Sequence, residues 1–106
     1  MIIYNVTVNI DEAVQKEWLQ WMKDVHIPDV MNTGMFLESR MSKIMGHSEG
    51  GVSYSIQYLC ESMEKLEQYQ NKHATALQKE YTDKYRGKFV AFRTLMEIVH
   101  QKNREL

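Results

Sequence analysis

The sequence predicts an α+β protein of the ferredoxin-like class, in which a four-stranded antiparallel sheet carries two helices on one face. Four segments alternate apolar and polar residues as strands do, and two segments between them repeat apolar residues at helical spacing. The resulting order is β-α-β-β-α-β, the split βαβ arrangement. With 106 residues, of which 43% are hydrophobic and 25% charged, the chain fits one globular domain spanning 1–106.

The bounds of these elements follow from the apolar spacing. The strands cover 2–10, 36–45, 52–60 and 88–100, and the helices cover about 12–25 and 63–86. Asp11 and Ser62 are favourable N-caps for the two helices, and Gly87 is a favourable stop for the second. The glycine-rich residues 46–51 predict a flexible hairpin loop between the second and third strands.

A proline and a glycine interrupt the pattern after the first helix. Pro28 suits the first position of a new short helix, and Gly34 suits the left-handed residue that ends one. The sequence therefore predicts that the first helix breaks near His26 and that a second one begins in a new direction. Trp18 and Trp21 fall on the inner side of the first helix, which predicts that both pack in the core.

Each predicted strand has one apolar and one polar face. In the last strand the apolar face is Val90, Phe92, Thr94, Met96 and Ile98, which we expect against the helices. The other faces collect Asn5, Thr7, Asn9, Glu38, Arg40, Ser42, Ser53, Ser55, Gln57, Arg93 and Glu97. Because both helices must cover the apolar face, this mixed face stays uncovered within one chain.

Four blocks of the chain resemble a known family. They are Trp18–Met22, His26–Met31, Thr33–Phe36 and Ser53–Tyr58. The blocks are similar to those of a family of small bacterial proteins that is catalogued as a domain of unknown function, and the likeness covers nearly the whole chain. The family brings no activity with it. In its fold the chain resembles the dimeric α+β barrel superfamily, which implies two protomers packed sheet against sheet with their helices outward.

That superfamily contains antibiotic-biosynthesis-type monooxygenases, muconolactone-isomerase-like enzymes, haem-degrading oxygenases and effector-binding domains of transcription regulators. The asparagine–tryptophan–histidine trio of the haem-degrading oxygenases does not occur at matching positions, which disfavours that activity. Any other transfer of function from this resemblance is an analogy of fold.

The mixed sheet face is the predicted ligand-binding surface. Its candidate residues are Asn5, Thr7, Arg40, Ser55, Gln57, Arg93 and Glu97. Arg40 or Arg93 would bind a carboxylate or enolate in a barrel cavity. The alternative is that these charges form cross-strand salt bridges or are solvated at the rim of a dimer interface.

His26 and Asp29 are the candidate catalytic residues. They lie three positions apart, so they would form a base and its orienting carboxylate at the mouth of a pocket. The alternative is that His26 interacts with the last carbonyls of the first helix while Asp29 occupies the first turn of the next. No metal or other cofactor is predicted, because the sequence has no His-x-His, His-Glu-x-x-His or Cys-x-x-Cys spacing.

Composition limits the partners and the compartment. A net charge of −1 gives no reason to expect nucleic acid, and no run approaches the roughly 20 apolar residues of a membrane span. The single Cys60 fits a reducing cytoplasm.

The apolar residues expected on the uncovered face predict a homodimer joined through the sheet faces. They are Ile3, Phe36, Ile44, Leu59, Phe89, Leu95 and Val99.

Three functions stay open from the sequence. The first is binding of a small molecule by a sensor or carrier. The second is a cofactor-independent monooxygenase or isomerase reaction on a small enolisable or aromatic substrate, with an arginine as oxyanion stabiliser. The third is a structural or protein-interaction dimer with a packed barrel interior. The mixed face gives slightly more support to binding than to catalysis.

Overall fold

The four strands form one antiparallel sheet in the computed structural model, which describes residues 1–46 and 50–105. The strands are β1 (Ile2–Ile10), β2 (Glu38–Lys43), β3 (Val52–Cys60) and β4 (Phe89–Glu97). Their order in the sheet is β2-β3-β1-β4, and all neighbouring pairs are antiparallel. This topology confirms the predicted ferredoxin-like class. His47, Ser48 and Glu49 of the predicted hairpin loop lie outside the described residues.

Two helical stretches cover one face of the sheet. The first comprises a 3₁₀ turn (Glu12–Val14), α1 (Gln15–Trp21), a π turn (Met22–His26) and α2 (Ile27–Met31). The second comprises α3 (Met63–Tyr69), a π turn (Gln70–Ala74) and α4 (Thr75–Tyr85). The predicted caps are confirmed, because Asp11 accepts from the Ala13 N–H at 2.8 Å and Ser62 accepts from the Lys65 N–H at 3.3 Å.

The predicted break near His26 was wrong. His26 and Ile27 both have right-handed helical dihedral angles, and the Ile27 N–H bonds to the Met22 carbonyl five residues back. Pro28 has no N–H and cannot make the ordinary bond to the residue four positions earlier. The helix therefore widens into a π turn ahead of the proline and continues to Met31.

Each π turn also moves the inner face of its helix by one position. A π turn closes its hydrogen bond over one residue more than an α turn, so an ordinary helical repeat loses its phase there. Val25, which that repeat places inside, is 36% exposed, and the next buried residue is Val30. In the second stretch a helical repeat through Met63 and Leu66 places Gln70 inside, but Gln70 is exposed and Ala74 is buried.

The core lies between the helices and the face of the sheet that they cover. Trp18 is fully buried, as predicted, whereas Trp21 is partly buried at the edge of the core. All six tyrosines of the chain are buried there. The other buried hydrophobic residues are Val8, Ile10, Met22, Val30, Phe36, Ile56, Cys60, Leu66 and Ala74.

In β4 the two faces are exchanged relative to the prediction, so the face predicted to be open lies toward the helices. Arg93 lies opposite Val6 of β1, and Glu97 lies opposite Ile2. Residues that are directly opposite in an antiparallel pair point to the same side of the sheet. Arg93 and Glu97 therefore lie on the helix side, and the prediction that placed them on the mixed open face was wrong.

The uncovered side of β4 is correspondingly apolar. Val90 and Phe92, which we expected under the helices, are 73% and 61% exposed. Phe89 and Leu95 were expected on the open face and instead share the helix side with Arg93. The even-numbered residues are the more apolar set, but the pairing register with β1 decides which set faces the helices.

Candidate functional site

A cavity of about 170 Å³ lies between the helical layer and the sheet. Its apolar lining residues are Val6, Val8, Met22, Val30, Ile56, Phe89 and Ala91. Its polar lining residues are Tyr4, His26, Tyr58, Tyr69, Gln78, Tyr81, Thr82 and Arg93. An apolar cavity with a few converging polar groups is the usual form of a small-molecule site.

Arg93 marks the mouth of this cavity. The residue is exposed and lies on β4, which is an edge strand of the sheet. Its Nε donates a hydrogen bond to the Tyr4 hydroxyl at 2.9 Å. The guanidinium is therefore in contact both with solvent and with Tyr4 of the cavity wall, and it supplies a permanent positive charge at the mouth of the cavity.

His26 reaches the cavity from the π turn. Its ring stacks on Trp21, with centroids 5.2 Å apart, and meets the edge of Tyr81 at the same distance. Burial lowers the pKa of His26 from its ordinary 6.5 to about 4; the Asp29 carboxylate partly offsets this decrease and Arg93 adds to it. At neutral pH the imidazole is therefore neutral and can either donate or accept a hydrogen bond.

Four tyrosines, Tyr4, Tyr58, Tyr69 and Tyr81, line the same space. Burial is the main cause that raises the pKa of Tyr58, Tyr69 and Tyr81, so these phenols stay protonated. The Trp18 Nε1 donates to the Tyr81 hydroxyl at 2.6 Å. Together with Arg93 and His26, these groups offer hydrogen bonds from several directions to a ligand in the cavity.

The predicted catalytic residues do not form a pair. Asp29 is exposed and is not among the residues that line the cavity. Within residues 1–46 and 50–105, no hydrogen bond joins its carboxylate to His26. The sequence thus identified the histidine that the structure places in the cavity, while the carboxylate acts on it only through its charge.

The open sheet face carries most of the predicted ligand-binding residues. Ser55 donates to the Asn5 Oδ1 at 2.6 Å, and the Asn5 amide donates to the Thr7 hydroxyl at 3.0 Å. These three residues therefore partly satisfy one another. Arg40 and Gln57 line a groove of about 290 Å³ on the same face.

The predicted set is consequently divided between separate places. Asn5, Thr7, Arg40, Ser55 and Gln57 lie on the open face, which the strand register confirms. Arg93 lines the inner cavity on the other side of the sheet. Glu97 lines neither the cavity nor the open-face groove.

The lining tyrosines were missed as site residues. Apolar spacing places Tyr4, Tyr58 and Tyr81 on the inner faces of their predicted strands and helix, which indicates core packing, and it does not place Tyr69 there. The signal that could have identified them is their number, since six core aromatic positions hold tyrosine and bring six hydroxyls that need partners or water. A core with this many tyrosines must provide hydrogen-bonding partners for their hydroxyls, and a polar space inside is one way to provide them.

Among the described residues, no group of three or more His, Cys, Asp or Glu side chains is placed to hold a metal ion. In that same part of the chain, no helix has both the length and the apolar character that crossing a membrane requires.

Fold and cavity together define a ferredoxin-like α+β protein with a cavity of mixed apolar and polar lining under its helices. The chain belongs to the family defined by a domain of unknown function, DUF4286, whose model matches residues 1–99. No functionally curated protein matches the sequence.

Solved structures share the fold at low identity. One is a dimeric ferredoxin-like protein from an uncultured marine organism, with 15% identity, a TM-score of 0.70, and coverage of 98% of this chain and 100% of that one. A second is SnoaB, a cofactor-independent oxygenase from Streptomyces nogalater, with 7% identity, a TM-score of 0.67, and coverage of 94% of both chains. A third is a MhuD variant with two manganese protoporphyrin IX molecules bound per active site, with 13% identity, a TM-score of 0.65, and coverage of 98% and 100%.

Proposed function

We propose that this protein binds a small planar molecule in the cavity between its helices and its sheet, as a sensor or carrier. The observation that carries the proposal is the convergence of Arg93, His26 and four tyrosines, together with Gln78 and Thr82, on a space whose remaining lining is apolar. We further propose that residues 1–106 act as one domain in the cytoplasm, without nucleic-acid or membrane partners.

The size of the cavity limits the ligand. About 170 Å³ is close to the roughly 150 Å³ of a buried cavity that holds benzene. It falls below the roughly 300–1,000 Å³ of sites for drug-sized ligands. The best match is a molecule with a single ring, and a porphyrin of the kind bound by the MhuD variant would require the cavity to open.

The protonation state of His26 favours binding over catalysis. An effective general base has a pKa near the working pH, and the pKa of His26 is about 4. At pH 7 the protonated imidazole would be populated at about one part in a thousand, so it holds an abstracted proton poorly. A neutral imidazole is well suited to orienting a ligand through one hydrogen bond.

A cofactor-independent monooxygenase or isomerase is the second candidate. It is favoured by one observation, the presence of a neutral imidazole in the same cavity as a guanidinium, which would act as base and oxyanion stabiliser. The likeness to SnoaB is one of fold and adds no residue to this argument. Oxygen consumption with a bound phenolic ligand, abolished in His26→Gln, would replace the binding proposal with this one.

We also propose a homodimer joined through the open sheet face. Val90 and Phe92 are exposed there, and the half-buried Ile3 of β1 and Leu59 of β3 lie on the same face toward its other end. A second copy of the same face would cover these residues with one self-complementary surface. The marine ferredoxin-like protein is a dimer, which supports the proposal. Native mass spectrometry of the purified protein reports the oligomeric state and any retained ligand together.

Isothermal titration with benzoate, phenol and toluene tests the binding proposal. At least one of the three should bind with a stoichiometry of one per chain. Arg93→Gln should weaken that binding by about tenfold or more, because it removes a charged donor from the cavity. The matched control is Arg40→Gln, which changes an arginine of the open-face groove and should leave binding unchanged.

Two outcomes would contradict this proposal. Absence of binding by all three compounds would leave the cavity without a ligand of the size it can hold. Loss of binding in Arg40→Gln with full binding in Arg93→Gln would move the site to the open face, where the sequence first placed it.

A further inference from the structure

We infer that the cavity selects ring compounds carrying an anionic oxygen, either a carboxylate or a phenolate, because the hydroxyls of Tyr4 and Tyr81 are held as hydrogen-bond donors. The inference rests on the proposed binding function and specifies the ligand of that same site. It follows from the direction of two hydrogen bonds in the wall of the cavity.

The first bond fixes the Tyr81 hydroxyl. The indole N–H of Trp18 can only donate, and it contacts the Tyr81 oxygen at 2.6 Å from a fully buried position. A phenolic hydrogen prefers one of two positions in the plane of its ring. With the indole N–H at one of them, the hydroxyl hydrogen is directed to the other, and the tyrosine becomes a donor toward its free side.

The second bond fixes the Tyr4 hydroxyl in the same way. Arg93 can only donate, and its Nε contacts the Tyr4 oxygen at 2.9 Å. Within residues 1–46 and 50–105, neither Tyr4 nor Tyr81 donates its own hydrogen to a protein acceptor. Both residues line the cavity, so we place both hydrogens within reach of a ligand there.

The charges of the lining point to the same ligand class. In the described part of the chain no carboxylate lines the cavity, and the only formal charge in the lining is that of Arg93. Gln78 and Thr82 can donate or accept, so they do not decide the polarity of the site. An anionic oxygen would therefore meet two oriented hydroxyls and a cation, while an ammonium group would meet a like charge and donors.

Trp18 acts in this proposal as a positioning residue, since it lies behind Tyr81 and sets the direction of its hydroxyl. Oriented donors in a partly desolvated site stabilise a charge more strongly than freely rotating ones, because no reorganisation is needed when the ligand binds. The measurable consequence is a shift in the ionisation of a bound phenol, which packing alone would not produce.

The test uses 4-nitrophenol, whose phenol and phenolate forms differ in absorbance. Bound to the protein, it should ionise at a pH lower by about one unit than it does in water, which is a tenfold preference for the phenolate.

Titration calorimetry with benzoate, benzylamine and toluene gives a parallel measure, and benzoate should bind at least tenfold more tightly than benzylamine. If toluene or benzylamine binds as tightly as benzoate, or bound nitrophenol stays protonated, the inference is overturned while the binding function stands. Failure of every compound to bind would overturn both.

The matched variants are Trp18→Phe and Trp21→Phe. Trp18→Phe removes the N–H donor to Tyr81 and should measurably reduce the shift in the ionisation of bound nitrophenol, while Arg93 and Tyr4 retain the remainder. Trp21 makes ring contacts near the site but donates no hydrogen bond to Tyr81, so Trp21→Phe should retain the shift.

If Trp18→Phe fails to fold, Tyr81→Phe serves in its place, since it removes the donor itself and keeps the ring. A folded Trp18→Phe or Tyr81→Phe that ionises bound nitrophenol as the unmodified protein does would show that the hydroxyl direction is irrelevant.

Discussion

The two faces of the sheet each present an arginine, and the two arginines lie in opposite surroundings. Arg93 lies on the face beneath the helices, among tyrosines and apolar side chains, and donates to Tyr4. Arg40 lies on the open face beside Gln57, in a groove exposed to solvent in the single chain. The sequence treats them as equivalent, because each belongs to a strand that alternates in polarity. Their difference comes entirely from which side of the sheet each strand turns to the helices.

In most proteins the covered face of a sheet is apolar and the open face is polar. Here the covered face has polar groups around a cavity within its core, and the open face has exposed apolar residues at Val90 and Phe92. A covered face can tolerate buried hydroxyls and a guanidinium when they bond to one another or to a ligand. An open face with large exposed apolar residues calls for a partner surface. The covered face is thus suited to a small molecule and the open face to a second chain.

The largest effect should come from Trp18→Ala on the covered face. We expect the free energy of unfolding to fall by about 3–5 kcal/mol, because the change leaves a large cavity and removes the donor to the Tyr81 hydroxyl. Arg40→Ala on the open face should change it by less than about 0.5 kcal/mol. Urea denaturation followed by circular dichroism measures both. Equal stabilities would show that the covered face is not the main core.

The next test charges the open face. Phe92→Asp should convert the proposed dimer into a folded monomer, because each dimer would otherwise bury two unpaired carboxylates. Ala76→Asp, at an exposed position on α4, is the control and should leave the dimer intact. Light scattering with micromolar protein reports the mass. A monomeric unmodified protein would contradict the dimer, and loss of ligand binding in the Phe92→Asp monomer would show that the two faces are not independent.

A smaller effect is expected from pH on the covered face. The folded protein binds the His26 proton with a pKa of about 4, against 6.5 when unfolded. Between these values the unfolded chain holds more protons, so stability falls as pH falls through 6.5 toward 4, by on the order of 3 kcal/mol in total. His26→Gln should show a shallower fall over the same window in thermal denaturation. Identical pH profiles would mean that His26 is solvated.

Much of the fold could be predicted from the sequence because it depends on local signals. The alternation of β1 and β3, the caps at Asp11 and Ser62, and the burial of Trp18 were all predicted and are confirmed. Each follows from residues close together in the chain, where periodicity and capping chemistry act directly.

The site was harder to predict because it depends on register. The side of the sheet on which Arg93 lies is set by its pairing with Val6, which is 87 positions away in the chain. Polarity alone assigned the faces of β4 the wrong way, since its outward residues are the more apolar ones. The hydrogen bond from Trp18 to Tyr81 likewise depends on how two helical stretches face each other. Each stretch contains a π turn that changes which residues face inward, and apolar spacing did not predict these turns.

Because each helical stretch contains a π turn, it could lose one residue without a change in the position of its neighbours over the sheet. A strand could not. Deleting one residue from Met22–His26 or from Gln70–Ala74 would convert the wide turn into an ordinary one, and the residues on either side could keep their places over the sheet. The same deletion within β1 would reverse the faces of every residue beyond it. Met22 and His26, the ends of the first wide turn, both line the cavity. Relatives that differ by a single residue in this helix would then share the sheet and its register, and would differ in the shape of the space that the helix encloses.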